Sequence, residues 1–205
     1  MTSPKGALPI VSNNPRLVLA SESPRRLALL KQAGIVPDAV RAPGIDERVR
    51  KREVPREHAL RLAIEKAKAV TAQEPDALVL AADTVVACGR RILPKAESTE
   101  EVRACLKLLS GRRHMVTTAV ALTAPGAKIR TRIVSTRLSL RRLTEAEIEA
   151  YVACGEGIGK AGGYAIQGRA EIFVRSLNGS YSNVVGLPLA ETVSLLGGCG
   201  YSAPC

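Results

Sequence analysis

The chain has 205 residues, which is long enough for one sizeable hydrophobic core. With one Phe, four Tyr and no Trp, that core must consist mainly of Ala, Leu, Val and Ile, and nucleic-acid binding by stacking of bases on aromatic rings is disfavoured. The formal net charge of +11 favours polyanionic ligands, either nucleic acid or the phosphates of nucleotides.

The cysteines and the two ends of the chain indicate compartment and domain limits. Five cysteines form no CxxC pair and only two histidines are present, which argues against a zinc site and fits thiols in a reducing cytoplasm. Residues 1–15 lack the apolar segment of a signal peptide, and no apolar run approaches the length of a membrane span. We expect a cytoplasmic protein without membrane contact, with a flexible leader at 1–15, one domain at 16–197 and a flexible tail at 198–205.

The first predicted helix starts at Pro24, directly after a short strand and a polar turn. Proline suits the first helical position, and Ser23 before it is a good N-cap. Arg25 and Arg26 fall in the first helical turn, beside free backbone N–H groups and the hydroxyls of Ser21 and Ser23. This pattern predicts a phosphate site. The alternative is an ordinary capped helix whose arginines are solvated.

The rest of the chain alternates between helical and strand periodicity. Further helices are predicted at 55–70, 98–109, 144–153 and 187–196. Strands are predicted at 17–20, 35–41, 77–88, 114–122, 129–140 and 170–177, and a turn is predicted at 178–183.

The strand predicted at 77–88, ALVLAADTVVAC, contains only two polar residues, Asp83 and Thr84. Such an apolar strand is usually central and buried on both faces. A carboxylate there costs several kcal/mol unless a metal ion or a cationic partner compensates it. Function is expected where a consistent local pattern breaks. The alternatives are a capped turn between two short strands and a structural ion pair.

Polar side chains in other segments complete a candidate site. Lys66 flanks the apolar stripe of the second helix, from which it either reaches a cleft or extends to solvent. Glu47 lies in a polar loop, and Lys95 follows a short extended piece. The glycine-rich segment 155–168 allows close approach of the backbone to a ligand, and Gln167 within it is unusual for a flexible linker.

Together, these residue types are the usual components of a nucleotide-phosphate site. Lysines and arginines neutralise phosphate oxygens, while carboxylates hold Mg²⁺ or Mn²⁺ and orient or deprotonate an attacking water. A side-chain amide can recognise the donor–acceptor edge of a base. The chain contains no GxxxxGK[ST] and no GxSxG motif, so it is not a P-loop NTPase, and serine-hydrolase chemistry is disfavoured.

Several motifs together resemble the Maf-type nucleoside triphosphate pyrophosphatases. They occur in the order of that family over nearly the whole chain, as LASESPRR (19–26), GIDER (44–48), AIEKAKAV (63–70), AADTVV (81–86), ILPK (92–95), LSGRRHMVTT (109–118), KAGGYAIQG (160–168) and NGSYSNVVGLPL (178–189). The family often has Gly-Lys-Pro where this chain has Pro94-Lys95-Ala96, so the backbone that aims Lys95 can differ.

The resemblance implies an α/β fold with a mixed central sheet flanked by helices, and two lobes around a nucleotide-binding cleft. It also implies frequent homodimers and cleavage of a nucleoside triphosphate between its α and β phosphates with a divalent metal cation. Asp83 matches the proton acceptor of the family. The family's specificity positions correspond to Arg25, Thr84 and Gln167, and its other site residues to Ser21, Glu47, Lys66 and Lys95.

We therefore predict a pyrophosphatase acting on dTTP and UTP, because the IQG ending resembles that branch of the family. In this hypothesis the phosphates are bound by Ser21, Arg25, Lys66 and Lys95. The metal, Mg²⁺ or Mn²⁺, is held by Glu47 and Asp83. The rival hypothesis is a nucleic-acid-binding or cell-division regulatory protein that uses the positive charge without catalysis. It gives no reason for the two carboxylates, which would repel phosphates if no metal were present.

Overall fold

One mixed sheet forms the centre of the protein in the computed structural model, which describes residues 14–203. Its strands are β1 (Leu17–Ala20), β2 (Ala39–Arg41), β3 (Leu78–Cys88), β4 (Arg91–Leu93), β5 (Arg113–Thr123), β6 (Arg130–Leu140) and β7 (Val174–Asn178). The order across the sheet is β2-β1-β3-β5-β6-β7, and β4 pairs with the far end of β3. β1 is parallel to β2 and β3, and the other pairs are antiparallel. The predicted α/β fold with a mixed sheet is confirmed.

Helices cover both faces of this sheet. They are α1 (Pro24–Gln32), α2 (Pro55–Thr71), α3 (Thr99–Leu109), α4 (Glu145–Cys154), α5 (Tyr181–Val185) and α6 (Leu189–Gly197). Two of these helices have capped starts: Ser98 accepts a hydrogen bond from the backbone N–H of Glu101, and Thr144 forms a complete capping box with Glu147. No helix within residues 14–203 is long and apolar enough to cross a membrane.

Alternate residues of β3 belong to two different cores, because successive side chains of a strand point to opposite faces. On one face, small residues of α2 such as Ala63 and Ala67 pack against Val79 and Ala81. The opposite face carries larger side chains, including Leu80, which pack among residues from the other helices. Since small side chains let backbones approach closely, α2 lies near the sheet along the face that also carries Asp83.

The neighbours of β3 leave a gap on one of its edges. β1 pairs with β3 only as far as Ala81, and β4 begins its pairing at Val86. Over the described chain, residues 82–85 have no strand partner on that edge, while their other edge is paired with β5. Asp83 and Thr84, the two polar residues of the apolar strand, therefore lie at an opening in the sheet. The alternative of a turn between two short strands is wrong, since β3 is continuous.

Two expectations for the C-terminal part are wrong. Arg169–Phe173 forms a 3₁₀ helix where a strand is predicted, and β7 begins only at Val174. The buried residues of this segment are Ala170 and Phe173, a three-residue spacing that a 3₁₀ helix places on one side. The turn predicted at 178–183 contains the start of α5, whose N-cap Ser180 accepts a hydrogen bond from a backbone N–H of the first turn.

Part of the predicted tail contacts the rest of the domain. Tyr201 is buried, and its backbone N–H donates to the carbonyl of Leu196. The backbone N–H of Ser202 donates to Asn14, and the side chain of Asn14 donates back to the carbonyl of Ser202. Apart from Asn14 and Pro15, the predicted leader lies outside the described residues. The domain limits stay a prediction.

Candidate active site

The opening in the sheet leads into a cleft of about 320 Å³. Every site residue predicted from the sequence lines it, namely Ser21, Arg25, Glu47, Lys66, Asp83, Thr84, Lys95 and Gln167. They come from the turn after β1, the start of α1, the loop before α2, α2 itself, β3, the segment after β4 and the glycine-rich segment.

Asp83 forms a buried ion pair with Lys66 on the α2 side of the sheet. The Lys66 Nζ lies 2.6 Å from Asp83 Oδ1, and the two residues are 4% and 5% exposed. The ion-pair alternative raised for Asp83 is therefore realised, and the pair lies in the wall of the cleft. Lys66 does not extend to solvent, because α2 packs closely on the sheet and directs its ammonium to the carboxylate.

Glu47 joins this pair to a second lysine. Its two carboxylate oxygens lie 2.6 Å from Lys66 Nζ and 2.6 Å from Lys95 Nζ. Partial burial would raise the pKa of Glu47, but hydrogen bonds from the two lysines outweigh it and lower the pKa to about 2. Asp83, Lys66, Glu47 and Lys95 thus form a row of alternating charges, which we call the charge row.

On the opposite face of β3, Arg26 organises the other wall of the cleft. Its Nη1 donates to Ser21 Oγ at 3.0 Å and its Nη2 to Thr84 Oγ1 at 3.2 Å. Its Nε donates to the carbonyl of Gly186 at 2.9 Å. Burial lowers the pKa of Arg26. The sequence placed Arg26 only in a shared anion site, whereas the structure makes it the side chain that orients Ser21 and Thr84.

Arg25 is the more available of the two arginines. It is partly exposed, and its Nε makes one long contact of 3.4 Å to the carbonyl of Val185. Its Nη atoms donate to no group among the described residues, so they are free to contact a ligand in the cleft. Partial burial lowers the pKa of Arg25.

The glycine-rich segment lines the cleft with residues between Gly159 and Gln167. Ala161 forms a β-bridge with Lys95, so this backbone and the end of β4 are held together. Gly162 has φ +72°, and a Cβ there would lie 2.8 Å from a methyl carbon of Val86, so only glycine allows this approach. Lys95 reaches the cleft although the family's Gly-Lys-Pro pattern is not kept. Lys160 also lines it, a residue that sequence reasoning did not include in the site.

Buried hydrogen bonds anchor the glycine-rich segment before Gln167. The hydroxyl of Tyr164 lies 2.7 Å from Nε2 of His114, and the backbone N–H of Ala165 donates to the hydroxyl of Tyr151 at 3.0 Å. Burial lowers the pKa of His114 to about 4, so this imidazole is neutral at physiological pH. Gln167, two residues beyond Ala165, is exposed at the rim of the cleft.

The donor set of the cleft fits a divalent cation that shares its ligands with a phosphate. Within residues 14–203 no group of three or more His, Cys, Asp or Glu side chains could hold a metal alone. Glu47 and Asp83 each place an oxygen 2.6 Å from the same Lys66 nitrogen, so these oxygens lie no more than twice that distance apart. Asp83 Oδ2 accepts no hydrogen bond from the described residues. It is also not among the fully buried side-chain atoms that lack a hydrogen-bond partner. One or two carboxylates with phosphate oxygens is a donor set typical of Mg²⁺.

Fold and cleft together define an α/β protein with a cationic, carboxylate-bearing site suited to a phosphorylated ligand. A family profile described as Maf-like protein matches residues 16–199, and the chain belongs to this family.

Similar proteins share most of their length with this chain. A dTTP/UTP pyrophosphatase of Caulobacter vibrioides is 59% identical over 187 residues, which are 91% of this chain and 97% of that protein. A protein of the same name from Paramagnetospirillum magneticum is 57% identical, over 91% of this chain and 98% of that protein. The solved structure of the Staphylococcus aureus Ham1 protein is similar with a TM-score of 0.43 and 19% identity, over 60% of this chain and 71% of that one.

The charge row predicts a pH-dependent contribution of Glu47 to stability. Its pKa in the folded protein is about 2, against an ordinary value of 4.5. Because the folded-state pKa is the lower one, ionised Glu47 stabilises the fold above pH 4.5, and this contribution is lost as the pH falls towards 2. Urea unfolding of the wild type and of Glu47→Gln from pH 7 to pH 3 should show a difference in unfolding free energy that shrinks below pH 4.5. A difference that stays constant over this range would contradict the ion pairing of Glu47.

Proposed function

We propose that this protein hydrolyses nucleoside triphosphates, dTTP and UTP in particular, to the monophosphate and pyrophosphate. The observation that carries the proposal is the charge row at the opening of the sheet, where two carboxylates and two lysines share one cleft with Arg25. The names of the similar proteins, dTTP/UTP pyrophosphatase, support the reaction and the choice of substrate.

Asp83 is the proposed proton acceptor for the attacking water. Lys66 holds one of its oxygens, which leaves Oδ2 available at the cleft. The water oxygen would attack the α phosphorus, and the bond between that phosphorus and the bridging oxygen to the β phosphorus would break. The phosphates would be bound by Ser21, Arg25, Lys66 and Lys95, whose donors would offset the negative charge on the leaving pyrophosphate.

Glu47 and Asp83 are the proposed protein ligands of Mg²⁺ or Mn²⁺. When bound, such a cation would neutralise charge on the phosphates and lower the pKa of a coordinated water. The lysines of the charge row neutralise the same carboxylates in its absence. Because the carboxylates are neutralised in both states, two acidic side chains can line a cleft that binds an anion.

We assign recognition of the nucleobase to the rim of the cleft and to its Arg26 side. The Gln167 amide carries both a donor and an acceptor, which is the pairing that a pyrimidine edge requires. Thr84 and Arg25 line the same cleft, and Arg26 holds Thr84 in place.

Nucleic-acid binding without catalysis is the weaker candidate, because it gives the charge row no role.

We also propose a cytoplasmic location, to which the free thiols of Cys88, Cys105, Cys154 and Cys199 are suited. A homodimer is proposed from the family resemblance, and light scattering in solution would test it.

Pyrophosphate release across dTTP, UTP, CTP, GTP, ATP, 5-methyl-UTP and 7-methyl-GTP, with Mg²⁺, Mn²⁺ or EDTA, tests the proposed function. We expect release that requires a metal and is fastest for dTTP and UTP, with the monophosphate as the second product. In Gln167→Ala the preference for these two substrates should fall. Release led by 7-methyl-GTP would contradict the roles of Arg25, Thr84 and Gln167. No release from any substrate, together with tight duplex-DNA binding near physiological salt, would favour the binding protein.

A further inference from the structure

The loop that supplies Glu47 has no helix or strand of its own. Residues 42–54 connect β2 to α2 as an irregular segment, and most of their side chains are exposed. Glu47 nevertheless reaches two lysines at 2.6 Å. Further contacts, outside the charge row, also tie this loop to α2.

Arg61 on α2 makes the main contacts to the loop. Its Nε lies 2.6 Å from Glu53 Oε1, and its Nη2 lies 2.9 Å from Glu53 Oε2. The same Nη2 donates to the backbone carbonyl of Arg48 at 3.0 Å, and Nη1 donates to Glu65 Oε2 at 3.0 Å. One guanidinium thus contacts the loop at Arg48 and Glu53, and its own helix at His58 and Glu65.

Glu53 completes a nearly buried polar cluster. Its Oε2 accepts from the backbone N–H of Arg50 at 2.9 Å and lies 2.8 Å from Nδ1 of His58. The side chains of Glu53 and Arg61 are only 8% and 14% exposed, so the pair is screened far less than a surface ion pair. The hydrogen bond from Arg61 lowers the pKa of Glu53 to about 2. We call Glu53, His58, Arg61 and Glu65 the loop clamp.

The loop clamp and the charge row are connected through one helix. Arg61 holds the carbonyl of Arg48, the residue next to Glu47, while Lys66 on the same helix holds the Glu47 carboxylate itself. A rigid helix thereby sets both the backbone beside Glu47 and the ammonium that Glu47 contacts.

We propose that Arg61 is a positioning residue that places Glu47 at the cleft and thereby sets the affinity for the catalytic divalent cation. The inference rests on the proposed function in one respect, the assignment of Glu47 as a metal ligand. Without the loop clamp, the loop samples conformations in which Glu47 is away from the cleft. Apparent affinity then falls in proportion to the population that remains competent to bind.

Two variants of Arg61 test this, with one matched control. Arg61→Gln removes the charge and the forked donors, while Arg61→Lys keeps the charge and loses the fork. The control is Arg103→Gln, which breaks a bidentate pair of similar geometry with Glu149, at 2.6 and 2.8 Å, between α3 and α4. Arg103 does not line the cleft.

In both Arg61 variants, the Mg²⁺ concentration that gives half-maximal dTTP hydrolysis should rise about 10- to 100-fold, the range found when groups that orient metal ligands are removed. The kcat at saturating Mg²⁺ should change much less. Amide hydrogen exchange should accelerate at residues 46–53 and stay unchanged in β3. Arg103→Gln should match the wild type in all three measurements.

A Mg²⁺ dependence equal to that of the wild type in Arg61→Lys or Arg61→Gln would overturn the proposal. If neither folds, Glu53→Gln decides by the same measurements, and failure of all three to fold would also overturn it, since the cluster would then hold the whole domain. Hydrogen exchange distinguishes a failure of the proposed function from a failure of the positioning role of Arg61. If the wild type hydrolyses no nucleotide, the proposed function fails, while faster exchange confined to 46–53 in the variants would still support the positioning of the loop.

Discussion

Replacing Asp83 by Asn is expected to lower kcat for dTTP by about 10²- to 10⁴-fold, the range that general acid–base groups supply. Asn has nearly the same shape and keeps an oxygen for Lys66, but its amide cannot accept the proton of an attacking water. Lys66 also keeps its contact to Glu47, so the fold should remain intact. The measurement is pyrophosphate release under saturating dTTP and Mg²⁺, with thermal unfolding recorded on the same sample.

Asp76→Asn is the matched control for this experiment. Asp76 undergoes the same chemical change two residues before β3, at an exposed position outside the cleft. It should retain the activity of the wild type. If Asp83→Asn kept a kcat close to the wild-type value, Asp83 would have no role as proton acceptor, and the base would have to be sought elsewhere in the cleft.

Replacing Lys66 by Met is expected to damage both stability and activity. The Lys66 ammonium lies 2.6 Å from Asp83 and 2.6 Å from Glu47 and is 4% exposed as a residue, so its loss leaves two carboxylates close together with one of them buried. Removing one partner of a buried ion pair costs about 3–5 kcal/mol, because the remaining charge is not compensated. Turnover should fall as well, since Asp83 loses the group that orients it. Urea unfolding at pH 7 and pyrophosphate release measure the two effects.

Lys95→Met provides the comparison for stability. Lys95 contacts the same Glu47 carboxylate at 2.6 Å, but its side chain is 57% exposed. An exposed pair contributes less than about 1 kcal/mol, so this variant should unfold close to the wild type. Equal unfolding free energies for the two variants would show that burial of Lys66 does not decide its contribution. A Lys66→Met protein as stable as the wild type would remove the buried ion pair from the account of the fold.

The opening in the sheet explains why an apolar strand carries two polar residues. Asp83 and Thr84 pair with β5 through their backbone on one edge and face the gap between β1 and β4 on the other. Their side chains point to opposite faces, Asp83 towards α2 and Thr84 towards Arg26. One short stretch of strand thus supplies a group to each wall of the cleft.

Features that depend only on neighbouring residues could be predicted from the sequence. Periodicity predicts β1, α1, α2 and the strands β5 and β6, because each repeat of apolar residues lies within one segment. The break at Asp83 in an apolar strand identifies a candidate site for the same reason. The segment 169–173 is missed, since a short 3₁₀ helix and a strand cannot be told apart from so few residues.

The contacts between these groups depend on how distant segments pack together. Lys66 and Asp83 are 17 residues apart, and Lys95 and Glu47 are 48 apart, so no local pattern predicts their contacts. The same holds for Arg26, which becomes the buried partner of Thr84 while Arg25 stays available, and for Arg61, which holds the loop of Glu47. These contacts follow from the register of β1, β3 and β4 and from the close packing of α2 on the sheet, and both are set by long-range burial of apolar surface.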